Sequence, residues 1–167
     1  MKKRLYLIRH AAAKDTERGG KDFDRILLPE GARNASMLGR KFFKDNKSID
    51  LILSSPATRA ADTAILIAEQ MRYDTNRIQY PEVLYEASVR EMLIIINELP
   101  EDYKNVMIIG HNPTISYFAE YITNEDVGSL SVGGMAAIGI KPFWNHVSQG
   151  TGNVEFQLNP GQLSEDE

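Results

Sequence analysis

The chain has no cysteine, which removes disulfides, thiolate nucleophiles and thiolate metal sites at once and fits a reducing compartment. Positive charge is not in excess either. The formal net charge is −4, so nucleic acid and an anionic membrane surface are not expected as partners. An anion would have to be held by a local cluster of cations, not by the field of the whole chain. Long hydrophobic runs are also missing, and no segment approaches the ~20 apolar residues that span a bilayer. The basic start Met1-Lys2-Lys3-Arg4 leads into an apolar run that is too short for a signal peptide and ends in charge. These features predict a soluble, cytoplasmic chain. Neither a Walker-type glycine loop nor a dinucleotide fingerprint occurs. With no repeat, linker or low-complexity block, the 167 residues read as one domain, and 43% hydrophobic content is enough for a core.

What is present is organised around Leu5-Tyr6-Leu7-Ile8-Arg9-His10. Four apolar residues predict a buried strand that stops at a cation and an imidazole, where open α/β sheets bind ligands. Residues 11–25 are mostly polar, contain Gly19-Gly20, and predict a long loop of the kind that carries function. A helix follows from Pro29, with Ala32, Ala35, Leu38, Phe42 and Phe43 at helical spacing and cations at its end. Residues 50–55 predict a second strand, after which Ser55-Pro56 reads as an N-cap with proline at the first helical position. The helix runs to about Met71 and carries Arg59 in its first turn. Residues 77–84 read as a shorter extended segment. Ser88-Val89-Arg90-Glu91 matches a capping box, and its helix runs to Leu99 before Pro100.

Residues 105–110 give the clearest buried strand, ending at His111. Asn112-Pro113 repeats the cap-plus-proline signal for a helix through Phe118 and Ile122. Residues 133–140 and 153–158 predict two more strands, the second alternating like an edge strand. Trp144 and His146 read as structural or surface residues, and the tail from Pro160 as frayed. Alternating strands and helices predict an α/β fold: a three-layer α/β/α sandwich with a mostly parallel central sheet and helices on both faces.

Three strand ends thus present Arg9-His10, Ser55 to Arg59, and His111-Asn112. Taken singly each has a plain reading: a strand-end histidine bonds a loop carbonyl, and a helix arginine is solvated. If those strands are neighbours, two guanidiniums and two imidazoles converge with two helix N-termini, which is an anion site. Charge-assisted bonds from two arginines, each worth ~1.5–3 kcal/mol, match phosphate oxygens. Asp15, Asp24 or Glu86 with the histidines could suggest a metal, but two fixed positive charges oppose a dication there. No metal and no cofactor is expected.

Leu7-Ile8-Arg9-His10, Asp24-Arg25, Ser54-Ser55-Pro56 with Arg59-Ala60, Leu84-Tyr85-Glu86 and Gly110-His111-Asn112-Pro113 occur in the order seen in the histidine phosphatase superfamily. From Leu5 to about Leu158 the chain most resembles its small SixA-type phosphohistidine phosphatase branch. Ala11 stands where the superfamily usually has glycine, and alanine occurs there in SixA-like members too. The resemblance implies a phosphoglycerate mutase-like fold and one histidine phosphatase domain over residues 1–167. It implies His10 as nucleophile, forming a phosphohistidine that water hydrolyses, with Arg9, Arg59 and His111 holding the phosphoryl oxygens. Arg25 would close over the phosphate, and Asn112 would add its cap and backbone. Glu86 stands near the place of the superfamily's proton donor, with Asp15 as a rival. The implied activity is a metal-independent phosphatase for phosphohistidine in a protein such as a phosphorelay domain. A phosphatase for small phosphate esters and a non-catalytic phosphate-binding module are the alternatives.

Overall fold

The computed structural model describes residues 2–164. In chain order the elements are β1 (Lys3–Arg9), α1 (Pro29–Lys44), β2 (Leu51–Ser54), α2 (Thr58–Gln70), α3 (Val89–Asn97), β3 (Asn105–Gly110), α4 (Thr114–Thr123), β4 (Met135–Ile140) and β5 (Asn153–Leu158). The strands form one sheet in the order β2-β3-β1-β4-β5. β1 lies at its centre because both its faces are apolar. Leu5 and Leu7 join the cluster of Met92, Ile96, Phe118 and Ile122 from α3 and α4. Tyr6 and Ile8 join Ala35, Leu38, Phe42, Ala60, Ala64 and Ile67 from α1 and α2. A strand buried on both faces reads as a continuous apolar run instead of an alternation. Helices therefore cover both faces, as expected. Trp144 is fully buried in the α3/α4 layer, whereas His146 is exposed.

The expected mostly parallel sheet needs correction: the sheet is mixed. β1 pairs parallel with β3 and β3 parallel with β2, but β1/β4 and β4/β5 are antiparallel. The cause is the return segment after α4. It carries the chain back to the site end of β1, where the Gly133 N–H donates to the carbonyls of Arg9 and His10. β4 therefore enters from that end, with Met135 opposite Ile8 and Ile140 opposite Lys3. Gly133 makes this turn at φ +75°, the left-handed region where a side chain is strained. α4 runs back along the sheet and the return segment reverses the chain once more, so β4 runs against β1, and hydrophobic pattern alone does not reveal strand direction.

Smaller expectations shift for local reasons. α2 starts at Thr58 with Ala57 as its N-cap, because the Ser55 hydroxyl accepts the Ala57 N–H before the helix begins. α4 starts at Thr114 with Pro113 as N-cap, and the Asn112 amide finds partners in another loop. The Ser88 capping box forms as read, but α3 ends at Asn97. Of residues 77–84, only Gln79 bridges to β2, and a 3₁₀ turn covers Glu82–Tyr85. At the tail, Pro160–Gln162 form a capped 3₁₀ turn instead of fraying, and residues 165–167 lie outside the described residues. Among the described residues no helix is long and apolar enough to cross a membrane.

The loop after β1 is pinned at its base. Ala13 bridges to Leu27, the Leu28 N–H donates to the Ala12 carbonyl, and the Lys14 N–H donates to that of Ile26. Gly31 in the first turn of α1 makes this possible, since a Cβ there would lie 2.2 Å from the Ala12 carbonyl oxygen. Gly31→Ala is therefore expected to overpack the helix against the loop. The expected loss is about 1–3 kcal/mol, or roughly 2–10 °C in Tm, read by thermal denaturation. An unchanged Tm would show that the helix start can shift freely.

Candidate active site

The C-terminal ends of β1, β2 and β3 meet as the sequence predicts. The His10 N–H donates to the Gly110 carbonyl and the Ser55 N–H to that of Ile109, so neighbouring ladders set the height of each strand end. His10 is 7% exposed, and its Nδ1 lies 2.8 Å from the Ala11 carbonyl oxygen. A carbonyl only accepts, so Nδ1 carries the proton and Nε2 keeps its lone pair. Arg59 Nε–H points at that lone pair from 3.4 Å, a long contact that leaves Nε2 weakly engaged. The His10 and His111 rings are 5.3 Å apart between centroids.

Burial, followed by the charges of Arg59, Arg9 and Arg25, pulls the His10 pKa down to about 4 despite the opposing bond to Ala11. Burial does the same to His111, with Arg59 and His10 next, and takes it to about 3. Both imidazoles are thus neutral near pH 7, and the positive charge of the site resides on the arginines. Arg9 donates from one terminal nitrogen to the Leu130 carbonyl at 3.0 Å. Burial lowers its pKa, while its charge acts on both histidines. Among the described residues, two buried side-chain polar atoms have no protein partner, Arg9 Nε and His111 Nδ1. Orphaned polar atoms of this kind are uncommon in a folded interior, and the two belong to groups close enough for the Arg9 charge to act on His111.

Arg25 belongs to the loop. Its Nε donates to the Lys14 carbonyl at 2.7 Å and a terminal nitrogen to Asp22 Oδ1 at 3.2 Å, and its charge reaches His10. Asn112 is committed elsewhere: its amide nitrogen donates to Ser129 Oγ and the Leu130 carbonyl, and its oxygen accepts from Ser116 Oγ. Only its backbone remains for an anion. Glu86 is exposed and lines a hollow of about 220 Å³ together with Tyr85, His111, Pro113 and Thr114. Asp15 lines a different hollow, with Lys14, Lys21 and Arg25 and neither of these imidazoles. Among the described residues no group of three or more His, Asp or Glu is placed to hold a metal ion.

A family model described as histidine phosphatase superfamily (branch 1) matches residues 5–92, over half of the chain. The chain belongs to the histidine phosphatase superfamily. The matched stretch contains Arg9, His10, Arg25, Arg59 and Glu86, while His111 and Asn112 lie beyond it. An uncharacterized protein of Mycobacterium tuberculosis (strain H37Rv) is 30% identical over 112 residues, 67% of this chain and 67% of that protein. Among solved structures, one provisionally designated phosphohistidine phosphatase SixA, from Agrobacterium tumefaciens, is 27% identical. It superposes with a TM-score of 0.80 over 95% of this chain and 98% of its own. The protein histidine phosphatase SixA complexed with tungstate gives a TM-score of 0.84, covering 96% of this chain and 99% of that one. At 18% identity that likeness shows the fold.

Within this superfamily frame, sequence reading missed four side chains that shape the site. Ser55 is fully buried, with Oγ 2.8 Å from His111 Nε2. That oxygen accepts the Ala57 N–H, and among the described residues Nε2 is the one acceptor within reach of its own hydrogen; with the hydroxyl assigned as donor, the remaining proton of His111 lies on Nδ1. Thr63 Oγ1 accepts from the Ala11 N–H and donates to the Arg59 carbonyl, tying the His10 strand end to α2. Asp22 and Tyr85 form the rim and are bonded to each other at 2.7 Å. Ser55 and Tyr85 stand inside the motifs named above, but the bonds of Thr63 to Ala11 and of Asp22 to Arg59 and Tyr85 span distant parts of the chain and leave no local signal.

Proposed function

We propose that this chain is a metal-independent phosphatase that passes a phosphoryl group through His10 Nε2, with phosphohistidine in a protein as its substrate. The observation that carries this reading is the His10 environment. Nδ1–H is held by the Ala11 carbonyl, so Nε2 presents a lone pair beside the Arg59 guanidinium. Nε2 attacks phosphorus as the bond to the leaving group breaks, and the leaving nitrogen or oxygen takes a proton. Water then attacks the phosphoryl group on His10, releasing inorganic phosphate and restoring the imidazole. Positioning and charge stabilisation dominate such transfers. Arg59, Arg9 Nε–H and His111 Nδ1–H serve as donors to the equatorial oxygens, and the Arg25 charge adds to the field from the loop.

A phosphorylated imidazole leaves more readily than an alkoxide, which suits a site where the carboxylate sharing a hollow with His111, that of Glu86, is exposed. Glu86, sharing a hollow with His111, supports a second reading as a small phosphate ester hydrolase in which it protonates the leaving oxygen. The deciding measurement compares kcat/KM for a phosphohistidine-bearing phosphorelay domain with p-nitrophenyl phosphate and a sugar phosphate. The expected result is a preference of at least about tenfold for the phosphohistidine protein, or ~1.4 kcal/mol. Preference for a small ester, with loss of activity in Glu86→Gln, would establish the second reading. Phosphate binding without turnover of any of the three would leave a binding module.

A further inference from the structure

We propose that Asp22 is a positioning residue, gripping the far end of the Arg59 guanidinium so that its Nε edge is turned toward His10. The inference rests on the phosphatase reading above and goes on to the way the loop after β1 completes the site. Arg59 Nη1 donates to the Asp22 carbonyl at 2.8 Å, and Nη2 donates to Asp22 Oδ2 at 3.1 Å. One residue thus takes both terminal nitrogens, while Nε faces His10 Nε2 at 3.4 Å. A guanidinium has two usable forks, one end-on and one along the Nε side. With the end-on fork filled by Asp22, the Nε side is the one left for a phosphoryl oxygen next to the nucleophile.

The grip is itself held. Asp22 Oδ2 also accepts from Tyr85 Oη at 2.7 Å, and Oδ1 accepts from Arg25 at 3.2 Å. Tyr85 stands over the site, its ring 5.8 Å from that of His111 and 5.1 Å from that of Phe23. The Tyr85 bond, with Arg25 and Arg59 behind it, keeps the Asp22 carboxylate ionised, at a pKa of about 2. Its side chain is nevertheless half exposed, whereas that of Arg59 is 7% exposed. The carboxylate therefore orients a buried cation from outside, and its removal opens no cavity in the core.

Asp22→Asn keeps the shape and the backbone carbonyl but removes the charge. It is expected to lower kcat/KM for p-nitrophenyl phosphate by about ten- to hundredfold, mostly in kcat, as misplacement of a transition-state group does. Tyr85→Phe should act in the same direction to a smaller extent, and Asp22→Glu should recover part of the loss. The decisive measurement is a double-mutant cycle. If Asp22 acts through Arg59, Asp22→Asn on an Arg59→Ala background changes the rate by less than about twofold. Additive losses would overturn the proposal, as would tighter substrate binding with unchanged kcat in Asp22→Asn, the mark of a carboxylate that only competes with phosphate. A wild-type protein that turns over no substrate would refute the phosphatase reading alone, and the same cycle read through inorganic phosphate affinity would then decide the role of Asp22.

Discussion

His10→Ala is expected to lower turnover by at least about 10⁴-fold, as loss of a covalent nucleophile does, and to abolish covalent phosphate labelling of the protein. Affinity for inorganic phosphate should fall by less than about tenfold, or ~1.4 kcal/mol. The two expectations differ because the imidazole and the oxyanion donors are separate groups. Arg9, Arg59 and His111 do not depend on the His10 ring for their own anchors, which are Leu130, Asp22 and Ser55. Substrate incubated with wild-type protein, quenched under alkaline conditions and mapped by mass spectrometry should carry phosphate on residue 10. His10→Ala should carry none. Activity within tenfold of wild type in this variant would place the nucleophile elsewhere and end the proposed chemistry.

The strand ends that make this test possible were readable from residue type because burial left little choice. A run such as Leu5 to Ile8, apolar on both sides, reads as a central strand, and the polar pair directly after it marks the end of that strand. Local caps were readable only where their partners are local. Ser88 and Glu91 bond each other as their spacing implies, whereas Ser55 bonds Ala57 ahead of the helix and also the remote His111, and Asn112 turns to partners brought by the fold. Both exceptions sit beside an imidazole, where side chains serve the site in preference to the helix. The direction of β4 was hidden for a related reason. Residues 135–140 are buried whichever way they run, and only the bonds from Gly133 to Arg9 and His10 reverse them. Asp22 resembles any loop aspartate until Arg59, Tyr85 and Arg25 are folded around it.

His111→Ala should reduce kcat by about 10²–10³, the loss typical of one preorganised donor to a developing oxyanion. The role assigned to this ring depends on its tautomer: Ser55 donates to Nε2, so the proton lies on Nδ1, the atom without a protein partner. Ser55→Ala should therefore reproduce part of the kcat loss while leaving the imidazole in place, and the ¹⁵N shifts of the His111 ring should report mixed tautomers. Wild-type kcat in Ser55→Ala with an unmoved ring spectrum would show that the tautomer is set otherwise.

Stability offers an independent check on the same two histidines. Their pKa values fall from 6.5 to about 4 for His10 and about 3 for His111 on folding. Between those limits the unfolded chain binds protons that the folded chain refuses, so unfolding free energy rises with pH across that window. The contribution is fully present above about pH 6.5 and is lost as pH falls toward the folded values. Denaturant unfolding from pH 7.5 to 4 should show this slope in the wild type and a shallower one in His111→Ala. An equal slope in both would mean that His111 is charged inside the fold, and a charged ring so close to Arg59 could not be the neutral donor the mechanism requires.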